Sequence, residues 1–133
     1  MAYRFQNWQV YKDSRALRIE VNRLCKLFPK EELYILTNQL RRAVLSVVLQ
    51  IAEGSNRKTE KDKNLFINRS ITSLDEVVAC FDCALDDKYI NNEQYDLTLA
   101  VMTSGGKLGS LISITNCVPP LTRFNCLILP VNI

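Results

Sequence analysis

Histidine is absent from the 133 residues, and that narrows the available chemistry more than any motif present. Without imidazole there is no Ser-His-Asp or Cys-His nucleophile system and no histidine-ligated metal. Cys80-x-x-Cys83 is the closest thiol pair. It has the spacing of half a metal site or of a redox pair. No second pair at zinc-site spacing accompanies it, and it falls inside a predicted helix, so small packing residues are the favoured reading. Glu53, Asp75, Glu76, Asp82 and Asp86 supply carboxylates for a di-metal site in a helical bundle, but the Glu-x-x-His pattern of such sites is missing. Gly105-Gly106 lacks the Gly-Lys-Ser/Thr continuation of a phosphate loop. The sequence therefore implies no cofactor and no metal, and a non-enzymatic role is expected.

Binding remains. Arg41-Arg42, Arg57-Lys58, Lys61 and Lys63 cluster around the ends of a predicted second helix and the start of a third. Residues 1 to 30, which include Arg15 and Arg18, carry seven basic side chains against two acidic ones; residues 61 to 90 carry four against six. A basic first helix suits phosphate binding. It equally suits a solvated face, or a surface that pairs with the acidic third helix of another subunit. Arg57, Lys58, Lys61, Lys63, Arg41, Arg15 and Arg18 are the nucleic-acid-binding candidates. No aromatic platform for base stacking is expected beside the basic loop, because Tyr3, Phe5, Trp8 and Tyr11 read as core.

Helices must position these groups. In the segment from Gln39 to Arg57, Leu40, Val44, Val47, Val48 and Ile51 fall on one stripe at i, i+4, i+7, i+8 and i+11. Arg42, Ser46, Gln50 and Glu53 form a second, polar stripe, and Leu45, Leu49 and Ala52 lie between. Arg42 and Glu53 stand roughly 16 Å apart at about 1.5 Å per residue, so their ion-pair partners are expected on other helices or subunits. Gly54 is expected to end this helix at the left-handed C′ position, with Thr37 as its N-cap.

A first helix is expected from about Trp8 to Leu27, with Leu17, Val21, Leu24, Cys25 and Phe28 as its buried stripe, stopped by Pro29. Thr59 to Asp62 resembles a capping box and opens a third helix running to about Asp87. On it Ile67, Ile71, Leu74, Val78, Phe81 and Leu85 make a heptad-like seam. Ser70, Ser73, Val77, Cys80 and Ala84 make a face of mostly small residues that lets another helix approach closely. Asn91 with Gln94 caps a fourth helix expected to reach Ile114, bent or closely packed at Gly105-Gly106. Short reversals between these elements predict an all-α, antiparallel up-down-up-down four-helix bundle over residues 1–117. An apolar, proline-containing tail follows over 118–133, disordered or packed on a neighbour.

The spacing of Trp8, Phe28-Pro29, Glu32, Tyr34, Leu36, Gln39-Leu40-Arg41-Arg42-Ala43, Ser46, Ile51-Ala52-Glu53-Gly54 and Arg57 resembles the signature of the 23S rRNA intervening-sequence protein family, a four-helix-bundle family. The match extends through Phe66, Ser73, Leu74 and Glu76. The family's Asn before Ile-Ala-Glu-Gly is Gln50 here, and its Gly before the Ser of the third helix is Thr72. The sequence is also similar to the accessory subunit of diversity-generating retroelements. That subunit is a pentamer that binds a reverse transcriptase and RNA, so the resemblance implies a ring-shaped homo-oligomer, a pentamer, with RNA or DNA and a protein as the expected partners. A protein–protein scaffold without direct nucleic-acid contact is the competing expectation.

Met1 to Asn7 lacks an apolar leader core, the five cysteines are odd in number, and no apolar run approaches the roughly twenty residues of a membrane span. A cytoplasmic protein with reduced thiols and no membrane partner is expected.

Overall fold

The computed structural model describes residues 3–103. The expected distal half of the fourth helix, Gly105-Gly106, Cys117, Cys126 and the 118–133 tail lie outside the described residues. Among the described residues four helices form: α1 (Gln9–Cys25), α2 (Leu36–Ser55), α3 (Glu60–Asp86) and α4 (Asn92–Thr103), with 3-10 turns at Arg4–Asn7 and Lys30–Tyr34. No strand occurs among the described residues, and the fold is an all-α four-helix bundle.

α2 is the central element. It packs against both α1 and α3, and α4 contacts α1 and α3 in turn. α2 and α3 run antiparallel. Gln39 Nε2 donates to Glu76 Oε1, Ser73 Oγ donates to Ser46 Oγ at 2.9 Å, and Ser70 Oγ donates to the Val47 carbonyl at 3.2 Å. At the far end Gly54 meets Phe66. The α2 stripe of Leu40, Val44, Val47, Val48 and Ile51 is buried, as is the α1 stripe of Leu17, Val21, Leu24, Cys25 and Phe28. Each such aliphatic side chain contributes roughly 1.5–3 kcal/mol when fully removed from water.

The close contact foreseen on α3 lies within the chain. Ser70, Val77, Cys80 and Ala84 are buried, and Ser70 and Ser73 hydrogen-bond α2 directly. Small side chains bring the two backbones near enough for a hydroxyl to reach a carbonyl across the interface. The seam residues Ile67, Ile71, Val78 and Leu85 are partly buried around that contact.

Two expected termini differ. α2 begins one residue after Ile35, and Thr37 is a buried first-turn residue rather than the N-cap. The 3-10 turn runs straight into the helix, and the Leu36 N–H donates to the Glu32 carboxylate at 3.3 Å, so a side chain from the preceding turn supplies the cap. Nor does Gly54 end α2, which continues to Ser55. Gly54 is buried, and a Cβ placed there would stand 2.9 Å from Phe66 Cβ. Its glycine serves the approach of α3, not a left-handed turn.

The expected capping box forms in full at Asn91, whereas at Thr59 only its forward half forms, and the Thr59 hydroxyl rather than its N–H holds the Asp62 carboxylate. The Asp62 N–H donates to Thr59 Oγ1 at 3.1 Å. The Gln94 N–H donates to Asn91 Oδ1 at 2.8 Å, while the Asn91 N–H donates to Gln94 Oε1 at 2.9 Å. Two residues beyond α3, Lys88 sits at φ 60°, with Tyr89 N–H bonded to the Ala84 carbonyl and Lys88 N–H to the Leu85 carbonyl. This is the Schellman pattern, with lysine where glycine is usual.

Candidate nucleic-acid interface

Three segments converge at one end of the bundle: the Arg4–Asn7 turn, the last turn of α2 with the loop after it, and the first two turns of α3. The Thr59 cap sets where α3 starts, and so where its leading basic residues stand. It also draws acidic groups into the corner. Asp62 is held by the Thr59 hydroxyl at 2.7 Å, and Lys63 is paired with Glu60 at 2.6 Å. Carboxylates in a first turn are favoured by the helix dipole. Lys63 is therefore the one predicted cation of this loop already neutralised within the chain.

Arg57 is different. Its guanidinium lies 4.2 Å from the centroid of the Phe66 ring, and that of Arg69 lies 5.1 Å from the same centroid. Each cation–π contact is worth about 0.5–1 kcal/mol at an exposed site. Arg57, Lys58, Lys61 and Arg69 are all exposed, with no carboxylate at ion-pair distance among the described residues. Arg69 was not among the sequence candidates. Its signal was available, since Phe66 and Arg69 are three apart on a helix and so share a face.

The 3-10 turn adds a second feature. Tyr3, Arg4 and Phe5 line an open cleft of about 650 Å³ together with Glu53, Asn56 and Arg57. Tyr3 is 71% exposed, and neither Tyr3 nor Phe5 joins the core. The expectation that no aromatic platform stands beside the basic loop is thus wrong for these two residues. Trp8 and Tyr11 do pack against the core. The reason is local: the turn precedes Trp8, the α1 N-cap, so Tyr3 and Phe5 are not carried on the α1 stripe. Tyr3 stacks on Phe5 at 5.9 Å, Phe5 meets Tyr11 edge-on at 4.9 Å, and the Arg15 guanidinium lies 5.9 Å from the Tyr11 ring centroid. This row links Arg15 on α1 to the cleft. Arg18 is exposed on the same helix.

Arg41 is not brought to this corner. It stands near the start of α2, about 21 Å along the axis from Ser55, the last residue of that helix before the Arg57 loop. There it lines a shallow groove with Leu33, Tyr34, Thr37 and Asn38. The polar stripe also departs from expectation. Ser46 is bonded to Ser73, but Arg42 and Glu53 are exposed and have no ion-pair partner among the described residues. Gln50 is half-buried with its Oε1 unpaired among the described residues. Leu45 and Leu49, expected within a wide buried arc, are 40% and 48% exposed.

Among the described residues, Cys25 and Cys80 are buried packing groups and Cys83 is exposed. Burial pushes the Cys25 thiol up to about 11, against a smaller opposing pull from Arg41, and burial likewise raises Cys80. No cluster of three or more metal-ligating side chains occurs among the described residues. No helix among them is long and apolar enough to cross a membrane.

The family described as 23S rRNA-intervening sequence protein matches residues 6–108. Among solved structures, the chain is similar to a protein of unknown function from the S23 ribosomal protein family of Bacteroides thetaiotaomicron. The identity is 23%, the match covers 79% of this chain and 96% of that one, and the TM-score is 0.69. At that identity the likeness concerns the fold. No curated protein matches the sequence.

Proposed function

This chain belongs to the 23S rRNA-intervening sequence protein family, and on that footing we propose that it binds RNA or DNA through backbone phosphates and acts by contact rather than catalysis. One observation carries the reading: Arg57 and Arg69 share the face or edge of a single ring, Phe66, without a carboxylate between them. Two guanidinium groups gathered around one ring make a local concentration of positive charge that an anion relieves. Lys58 and Lys61 extend the same positive corner. Contacts of this kind fix position on a nucleic acid without reading its sequence, so specificity is low and affinity falls steeply with salt.

The protein acts as a homo-oligomer, a pentamer by the resemblance above, in the cytoplasm with its thiols reduced. Leu45 and Leu49 support the assembly, because they form an exposed apolar strip on α2 between Arg42 and Glu53. That strip is also what favours a protein–protein scaffold as the second reading.

Fluorescence-anisotropy titration of a structured RNA and a duplex DNA, at about 50 and 200 mM salt, with light scattering on the same sample, tests the reading. Binding that weakens steeply with salt is the expected result. No binding at the lower salt by an intact oligomer overturns it and leaves the scaffold.

A further inference from the structure

The cleft beside Arg57 has features that phosphate binding alone does not use. Tyr3 presents a largely exposed ring, stacked on Phe5, at a place where the core does not require it. The turn that carries both is well defined: the Gln6 N–H donates to the Tyr3 carbonyl at 3.0 Å, the Tyr3 N–H donates to Gln6 Oε1 at 3.0 Å, and the Trp8 N–H donates to the Phe5 carbonyl at 2.9 Å. Arg4 stands between the two rings in sequence, and Arg57 reaches the same cleft from the end of α2. At about 650 Å³ the cleft falls in the roughly 300–1,000 Å³ range of small-ligand sites. Aromatic rings beside guanidinium groups on an open wall match a nucleotide, which pairs a flat apolar face with an anion. Glu53 is the one carboxylate lining the cleft. It repels a phosphate and accepts hydrogen bonds from base N–H groups, which orients the occupant.

We propose that this cleft seats one unpaired nucleotide of a single strand, its base against Tyr3 and Phe5 and its phosphate on Arg4 and Arg57. The assignment rests on the nucleic-acid reading above and adds to it a preference for unpaired over duplex segments. A base within a duplex is stacked on both faces and cannot reach the rings without being extruded.

The test uses the full chain and three probes: a single-stranded oligonucleotide, a duplex of the same sequence, and an abasic oligonucleotide of equal charge. Stacking on an aromatic side chain is worth roughly 1–3 kcal/mol per base, about fivefold to 150-fold in affinity. Tyr3→Ala with Phe5→Ala is expected to weaken single-strand binding at least fivefold. Duplex and abasic binding, and the salt slope, should be unchanged. Tyr3→Phe should retain full affinity, since the ring and not the hydroxyl is used. Far-UV circular dichroism of each variant reports whether the bundle is intact. If the double variant binds all three probes as the parent does, or weakens all three equally, the stacking site is wrong while phosphate binding stands. If the parent binds none of the probes, both readings fall together.

Discussion

Gly54 of α2 stands so close to Phe66 of α3 that a methyl group on it would come within 2.9 Å of Phe66 Cβ. This contact joins the packing of the bundle to its charged corner, because the Phe66 ring also carries Arg57 and Arg69. Gly54→Ala sets two effects against each other. Alanine improves helix propensity by about 1 kcal/mol over glycine. Forcing a methyl group into a filled contact costs about 1–3 kcal/mol. The clash wins, since the atom met is a Cβ fixed to the α3 backbone and not the free end of a side chain. A net loss of up to about 2 kcal/mol in urea unfolding is expected.

Ala84 tests the small-residue face. It is fully buried, whereas Ala79 on the same helix is exposed. Ala84→Leu should destabilise the chain by about 1–3 kcal/mol or prevent folding, and Ala79→Leu should lie within about 0.5 kcal/mol of the parent. Equal effects at the two positions would mean that the close approach of the helices is not fixed at this face.

The end of α3 offers a gain. Lys88 adopts φ 60°, where a side chain costs about 1–2 kcal/mol relative to glycine. Lys88→Gly relieves that strain and loosens the unfolded chain, which offsets part of the gain. A net stabilisation of up to about 1 kcal/mol is expected in thermal or urea unfolding.

Much of this structure is local in origin and was legible in the sequence. Thr59 with Asp62 and Asn91 with Gln94 are contacts over three residues, and the stripes of α1 and α2 follow from helical spacing alone. What failed depends on distant partners. Gly54 looks like a terminator until Phe66 is known to face it. Thr37 looks like a cap until Glu32 is seen to supply one. Tyr3 and Phe5 read as core because apolar type does not reveal that the chain turns before α1 begins. Leu45 and Leu49 are apolar enough for a core, but no helix of the described chain covers them. Of the candidate cations, the sequence placed Arg57, Lys58 and Lys61 together; it could not show that Lys63 is paired or that Arg69 joins them.

Cys25 gives a pH dependence. Its native thiol releases its proton near 11, whereas the unfolded thiol does so near 9. Between these values the native state binds more protons, so stability is level below pH 9 and falls as pH rises toward 11. Tyr89 and Tyr95, raised by hydrogen bonds to Glu32 and Asp82, add the same sign at higher pH. The readout is therefore a difference: between pH 8 and 10.5, Cys25→Ala should lose less stability than the parent. At neutral pH, mass-mapped alkylation should label exposed Cys83 well before Cys25 or Cys80.

The most direct test of the phosphate-binding corner is the slope of log affinity against log salt for a structured RNA. The parent should be compared with Arg57→Ala/Lys58→Ala and with Arg41→Ala. Removing one side chain that holds a phosphate should reduce the slope by about 1. The double variant is expected to flatten it by about two units, and Arg41→Ala, at the opposite end of α2, should leave it unchanged. A double variant with the parental slope, or an equal flattening on removing Arg41, would contradict the assignment of phosphate binding to this corner.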